Sequence, residues 1–174
     1  RKKNYINSVS AKKKYGGGVV NELSHELDLI LHLFGKPKSL YASCINTNYL
    51  KIDTEDVADI IFSMKKNLNL NLHIDFCSPF EKREIEVIFR NKKKIVLNLI
   101  NHTMVIFKLN KKFNKKFKIN NNFYIEEQLK EMIKISISDN KSRWMSELKD
   151  ATYVLDIISK IRQSNLYNRV VYLN

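Results

Sequence analysis

Asn21, His25, Asp28 and His32 are spaced i, i+4, i+7 and i+11, and Glu22 precedes His25 by three residues. On a helix, side chains at such positions share one face. The chemistry they offer is proton transfer. An imidazole titrates near neutrality, and a carboxylate one turn away can orient and tune it as a general acid/base. The same His–Glu spacing is common on solvated helices, so it leaves a surface role open. Gly16, Gly17 and Gly18 stand just upstream. Glycines let a backbone or a ligand approach closely, and a helix start favours an anionic group. Lys12, Lys13 and Lys14 precede them. They offer charge to a phosphate, although a lysine run is usually a solvated face.

The elements that must position these groups follow from periodicity. Leu23, Leu27, Ile30, Leu31 and Phe34 recur at helical spacing and predict one helix over 18–34, stopped by Gly35 and Pro37. The period then changes to two. Leu40, Ala42 and Cys44 mark one strand, residues 57–64 a second, and Leu68, Leu70, Leu72, Ile74 and Phe76 one face of a third. The other face of that third strand carries Asn69, Asn71, His73 and Asp75, the pattern of a half-buried antiparallel strand. Further strands are predicted at Ile85–Phe89, Lys94–Leu99 and Thr103–Leu109, with hairpin turns at Lys65-Lys66-Asn67 and Asn91-Lys92-Lys93. Asn stands in for Gly in such turns because it tolerates positive φ. The Lys- and Asn-rich stretch from Lys111 to Asn122 reads as an exposed loop. Two helices close the chain, Tyr124–Ile135 and Ser142–Gln163, the second with Trp144, Leu148, Ala151, Leu155, Ile158 and Ile161 at helical spacing; Val170-Val171-Tyr172 suits a last short strand. A run of strands followed by helices argues α+β: an open, mainly antiparallel sheet with helices packed on one face, in a single domain over residues 1–174.

Composition narrows the classes. The balance of 44% apolar and 28% charged residues is globular rather than disordered. No apolar run approaches a membrane span, and Arg1-Lys2-Lys3 leads into polar sequence rather than a signal peptide, so no membrane partner is expected. The net charge of +13 raises nucleic-acid binding, but the charge is mostly Lys, with only six Arg. Base and phosphate readers favour the Arg fork. The abundance of Lys, Asn and Ile fits coding bias instead, and no nucleic-acid partner is expected. Cys44 and Cys77 do not form a C-x-x-C pair and read as free thiols of a cytoplasmic protein. His32, His73 and His102 have no metal-ligand spacing, and no metal is expected.

The run Gly16-Gly17-Gly18-Val19-Val20-Asn21-Glu22-Leu23-Ser24-His25-Glu26-Leu27-Asp28 resembles the GGG-x-x-x-D-L-S-H-E-L-D signature of one branch of the glucose–fructose oxidoreductase / inositol dehydrogenase (Gfo/Idh/MocA) family. Ser8-Val9-Ser10-Ala11, Leu33-Phe34-Gly35-Lys36-Pro37, Asp53-Thr54-Glu55-Asp56-Val57-Ala58 and the stretch Ser146-Glu147-Leu148-Lys149-Asp150-Ala151 are similar to that branch in order and spacing. The resemblance implies the C-terminal half of a two-domain enzyme. Its partner would be an N-terminal Rossmann domain that binds most of an NAD or NADP cofactor and carries an E-K-P lysine. The C-terminal half supplies substrate contacts and usually a homo-oligomer interface through its sheet. His25 matches the signature His, the general acid/base on a sugar carbonyl or hydroxyl. Glu22 stands where the branch has Asp, one methylene longer, and Asn21 stands where the commoner family form has Asp. His25 and Glu22 are therefore the catalytic candidates. Asn21, Asp28 and Lys14 are the substrate candidates, with Lys14 suited to a nucleotide-sugar phosphate. Gly17 and Gly18 are the cofactor candidates. For Asp28 a helix-packing role is an equal alternative, and Asp150 reads as structural.

With four glycines in two places, the sequence contains no G-x-G-x-x-G, and it contains no E-K-P. A chain without that fingerprint is not expected to bind NAD well by itself. It begins with Arg rather than Met, and the expected Rossmann half needs roughly 100–150 residues upstream. Two readings follow: the substrate-side half of an oxidoreductase acting on a sugar or nucleotide sugar, or a stand-alone sugar-binding or dimerisation module without catalysis.

Overall fold

The structure, a computed structural model, describes residues 5–109, 111–119, 122–138, 142 and 145–173. Three short 3-10 turns, Tyr5–Asn7, Val9–Ala11 and Lys13–Tyr15, lead into α1 (Val19–Glu22) and α2 (Ser24–Phe34). Next come β1 (Ser39–Ile45), β2 (Val57–Ser63), β3 (Asn69–Asp75), β4 (Glu84–Ile88), β5 (Lys94–Asn98), β6 (Thr103–Lys108) and β7 (Lys111–Lys116). Then α3 (Phe123–Ser138), α4 (Leu148–Tyr167) and β8 (Val171–Tyr172) complete the chain. The α+β class stands. The strands divide between two antiparallel sheets of four, ordered β3-β2-β1-β8 and β4-β5-β6-β7, where the alternation alone suggested one. The sheets belong to two compact units, Arg1–Ser78 with Ser146–Asn174, and Pro79–Met145.

In the first unit, the register places Leu40 opposite Phe62 and Ala42 opposite Ile60, while Ile60 faces Leu72 and Ala58 faces Ile74 across the next pair. These residues share one face of the sheet. They form one core with Val154, Ile157, Ile158 and Ile161 of α4, which packs against β1. The spacing of those four residues puts them on one helical stripe. The start of α4 is set by a capping box. Glu147 is the N-cap, and its backbone N–H donates to Asp150 Oδ2 at 2.9 Å. The helix therefore begins at Leu148 rather than Ser142, and Trp144 lies outside the described residues. At its other end, Ser164 is fully buried. Its Oγ accepts from the Ala42 N–H at 2.9 Å and donates to the Arg169 carbonyl at 2.7 Å. One hydroxyl thus ties the helix to β1 and closes the turn into β8. Ser164→Ala leaves the buried Ala42 N–H unpaired and removes the partner of the part-buried Arg169 carbonyl. It should lower stability by about 2 kcal/mol, read as a shifted urea midpoint with unchanged slope.

The predicted 18–34 helix is interrupted. Leu23 (φ −101°, ψ 25°) separates α1 from α2. The two pieces have different partners: α1 packs against β2 and β3, whereas α2 packs against α4. Val19 and Val20 are fully buried beneath this break, and Leu27 and Ile30 are the buried residues of α2. Gly35 ends α2 at φ 80°, as its position predicted, with its N–H on the Leu31 carbonyl.

In the second unit, β4 to β7 form a meander of hairpins. At the β4–β5 turn Lys92, not Asn91, takes positive φ, whereas at the β2–β3 turn Lys66 and Asn67 both do. The predicted 111–122 loop opens with a strand: Phe113 pairs with Ile106, and Lys116 with Thr103. Lys and Asn are weak strand formers, and the partner strand overrides that preference. Four lysines on β7, the last strand of this sheet, discourage further strand addition.

Candidate functional site

The loop before α1 is built by its own backbone. The Gly17 N–H donates to the Lys12 carbonyl at 3.1 Å, and the Gly18 N–H to the Ser10 carbonyl at 3.0 Å. A Cβ on Gly17 would sit 2.3 Å from the Ser10 carbonyl oxygen. One on Gly18, at φ +119°, would sit 2.3 Å from a carboxylate oxygen of Glu55. The segment before β2 clamps this loop from outside. The Lys13 N–H donates to Asp53 Oδ1 at 2.7 Å, and the Val19 N–H to the Glu55 carbonyl at 3.0 Å. Behind that clamp, the carboxylate of Asp56 is fully buried and accepts from the Thr47 N–H at 2.8 Å and the Thr47 hydroxyl at 2.6 Å. The loop that starts α1 is therefore fixed on both sides.

His25 stands in the first turn of α2 with a side chain 57% exposed, so its ring is open to solvent. Its Nε2 lies 3.2 Å from Glu26 Oε1, and Glu26 is only 17% exposed. Among the described residues no hydrogen bond or ion pair joins Glu22 to His25. Glu22 ends α1, on the far side of the Leu23 break, so the one-turn spacing does not lie on a continuous helix. The carboxylate at the imidazole is the adjacent one. Spacing rules miss it because i, i+1 side chains on a regular helix do not face each other; only the signature run, with Glu directly after His, hinted at it. The contact is an ion pair when the imidazole carries both protons, and it leaves Nδ1 for a second partner. Glu26→Gln should move the imidazole 15N chemical shifts of His25, and Glu22→Gln should leave them in place. The reverse pattern would restore Glu22 as the partner.

The other candidates are placed individually. The Asn21 amide donates to the Gly16 carbonyl and so braces the glycine turn. Asp28 Oδ2 accepts from the Ser146 hydroxyl at 2.8 Å, which joins α2 to the segment entering α4 and bears on its packing alternative. Lys14 lies over the Tyr15 ring at 4.6 Å on the surface. Sequence reasoning missed Glu26, the Asp53 and Glu55 clamp, and Ser146. Their signals, a carboxylate beside the His and a short acidic run before a strand, carry no period.

These residues do not make a dinucleotide cradle. The Gly17 and Gly18 amides, the groups that would bind a pyrophosphate, are taken up by Lys12 and Ser10. Among the described residues no group of three His, Cys, Asp or Glu side chains could hold a metal ion. Both cysteines are free. Burial, then the Glu55 carboxylate, pushes the Cys44 thiol up to about 11.

The face of the first sheet away from α4 is polar and open. His73 Nδ1 lies 2.7 Å from Asp59 and its Nε2 lies 3.4 Å from Asp75. Ile45 and Ile61, on the same face, are about half exposed.

The family model for the GFO/IDH/MocA C-terminal domain matches residues 4–93, about half of the sequence. The chain belongs to this family. Solved structures agree in fold over nearly all of this GFO/IDH/MocA domain. Levoglucosan dehydrogenase in complex with NADH and levoglucosan superposes with a TM-score of 0.85 at 12% identity, covering 98% of this chain and 54% of that one. An oxidoreductase from Agrobacterium radiobacter in complex with NAD+, L-tartaric acid and magnesium gives 0.70 at 16%, covering 86% and 47%. UDP-N-acetylglucosamine 3-dehydrogenase from Acidithiobacillus ferrooxidans gives 0.69 at 15%, covering 84% and 46%. The GFO/IDH/MocA domain thus spans about half the length of the structures it matches. No curated protein sequence matches it. Among the described residues no helix is long and apolar enough to cross a membrane.

Proposed function

We propose that this GFO/IDH/MocA domain is the substrate-side half of an NAD- or NADP-dependent oxidoreductase acting on a sugar or nucleotide sugar. The nicotinamide, held by a separate Rossmann domain, would give or take hydride at the sugar carbon. The work of this chain is at the proton. His25 gives a proton to the forming alkoxide or takes one from the hydroxyl, and Glu26 steadies the imidazolium. The observation that carries this reading is the exposed imidazole held by a mostly buried carboxylate at the start of α2, just past a loop fixed on both sides.

Asn21 and Asp28 border His25 in sequence and are proposed to set the substrate edge, with Lys14 taking a phosphate where the sugar carries one. Gly17 and Gly18 are buried against Ser10 and Glu55 with their amides spent on backbone carbonyls, so their proposed part is to shape the loop rather than to touch the cofactor. The free thiols of Cys44 and Cys77 favour a reducing compartment such as the cytoplasm. Binding by this chain and by the whole protein tests the reading. The chain should bind the sugar but not NADH; the whole protein should bind both and turn over. Sugar binding without turnover in the whole protein would leave a non-catalytic module.

The open sheet face supports a second role beside the first. Half-exposed Ile45 and Ile61 beside the polar Asp59–His73–Asp75 cluster suit a homo-oligomer interface through the sheet.

A further inference from the structure

The second unit carries a groove of about 530 Å³. Lys116, Lys118, Asn101, His102, Phe117 and Phe123 line it. Three segments converge there and are tied together. The Phe117 N–H donates to the His102 carbonyl at 2.8 Å, so the exit of β7 is bonded to the β5–β6 turn. The rings of His102 and Tyr124 lie 5.8 Å apart, and those of Phe123 and Tyr124 lie 5.7 Å apart, which brings the start of α3 to the same turn.

Two properties of this groove call for a ligand. Lys116 and Lys118 are exposed, and among the described residues neither has an acidic partner. Phe117 and Phe123 are 38% and 40% exposed; the Lys115 ammonium lies 4.9 Å from the centroid of the Phe117 ring, which leaves its other face for a ligand. Cations beside part-exposed rings suit a ligand that is anionic at one end and flat at the other. The volume lies in the range of small-molecule sites and exceeds what an inorganic anion needs. Asn101 and His102 add polar groups that could read the edge of a flat ring.

We propose that this groove binds a nucleoside diphosphate, with Lys116 and Lys118 on the phosphates and Phe117 and Phe123 against the base. The inference concerns the Pro79–Met145 unit and is independent of the hydride-transfer reading, because binding alone tests it. It also differs from a general attraction of polyanions to a basic chain, since it requires both ends of the ligand.

The experiment is calorimetric titration of the 174-residue chain with UDP and ADP, alongside pyrophosphate and uridine. Saturable binding of a nucleoside diphosphate is expected, at least tenfold tighter than pyrophosphate or uridine. The double substitution Lys116→Gln with Lys118→Gln should weaken it at least tenfold. Phe117→Leu should weaken it about fivefold or more, the scale of one lost stacking contact. Circular dichroism and a thermal melt establish that each variant is folded. Lys38→Gln with Lys65→Gln, which removes equal charge from exposed positions of the first unit, should leave the affinity within about twofold. No saturable binding at millimolar nucleotide, pyrophosphate binding as tightly as UDP, or equal losses from the two lysine pairs would each overturn the proposal.

Discussion

In the whole protein, His25→Asn should lower kcat by about 10²–10⁴, the range for loss of a positioned general acid/base. Asn keeps a polar side chain of similar reach but cannot carry the proton. NADH affinity should hold, because the chain offers the dinucleotide no free amides at Gly17 and Gly18. The substitution should fold normally, since the His25 side chain is 57% exposed. Turnover within about threefold of the unmodified protein would remove His25 from the chemistry.

Gly17→Ala should lower stability by about 3 kcal/mol, the upper range for forcing an atom into a packed site. The added Cβ would meet the Ser10 carbonyl oxygen at 2.3 Å, its carbon at 2.6 Å and the Lys12 nitrogen at 3.0 Å. All three are backbone atoms, and the same strands of chain are tied by the hydrogen bonds of Gly17 and Gly18, so none can swing aside. Gly16→Ala is the control. Gly16 sits at φ 77°, but its added Cβ would have only the Asn21 amide nearby, at 3.8 Å. It should cost about 1 kcal/mol, the left-handed strain alone. Equal losses at the two positions, read from urea unfolding, would show that the close approach is not what demands glycine. Because α1 starts from this loop, Gly17→Ala should also reduce turnover of the whole protein, by misplacing α1 and the residues that follow it.

The α2 stripe was legible because Leu27 and Ile30 repeat at helical spacing towards one buried surface. The third strand was legible because Leu70, Leu72 and Ile74 alternate with Asn69, Asn71 and His73, and the register places them in that order. Asp150 read as structural, and it closes a capping box. The rest depends on partners distant in sequence. The Leu23 break arises because α1 and α2 pack on different elements, which no window of the sequence contains. Strand β7 exists through its pairing with β6, against the preferences of Lys and Asn. Two sheets look like one in an alternation pattern, since period two records which face is covered and not which strand lies alongside.

The candidate site shows the same division. The glycine run and His25 could be picked out by type, and the glycines prove to be needed for close packing against Ser10 and Glu55. Glu22 was chosen by spacing, and the structure brings Glu26 to the imidazole instead. Asp53 and Glu55 hold the loop from more than thirty residues away.

The most direct test of the central claim is to follow deuterium from NADH or NADPH deuterated at both C4 positions, given to the whole protein with a panel of free and nucleotide-linked keto sugars. Deuterium should appear on one sugar carbon of the product, and His25→Asn should suppress the transfer while the cofactor still binds. A protein that binds cofactor and sugar together yet transfers no deuterium to any of them would contradict it.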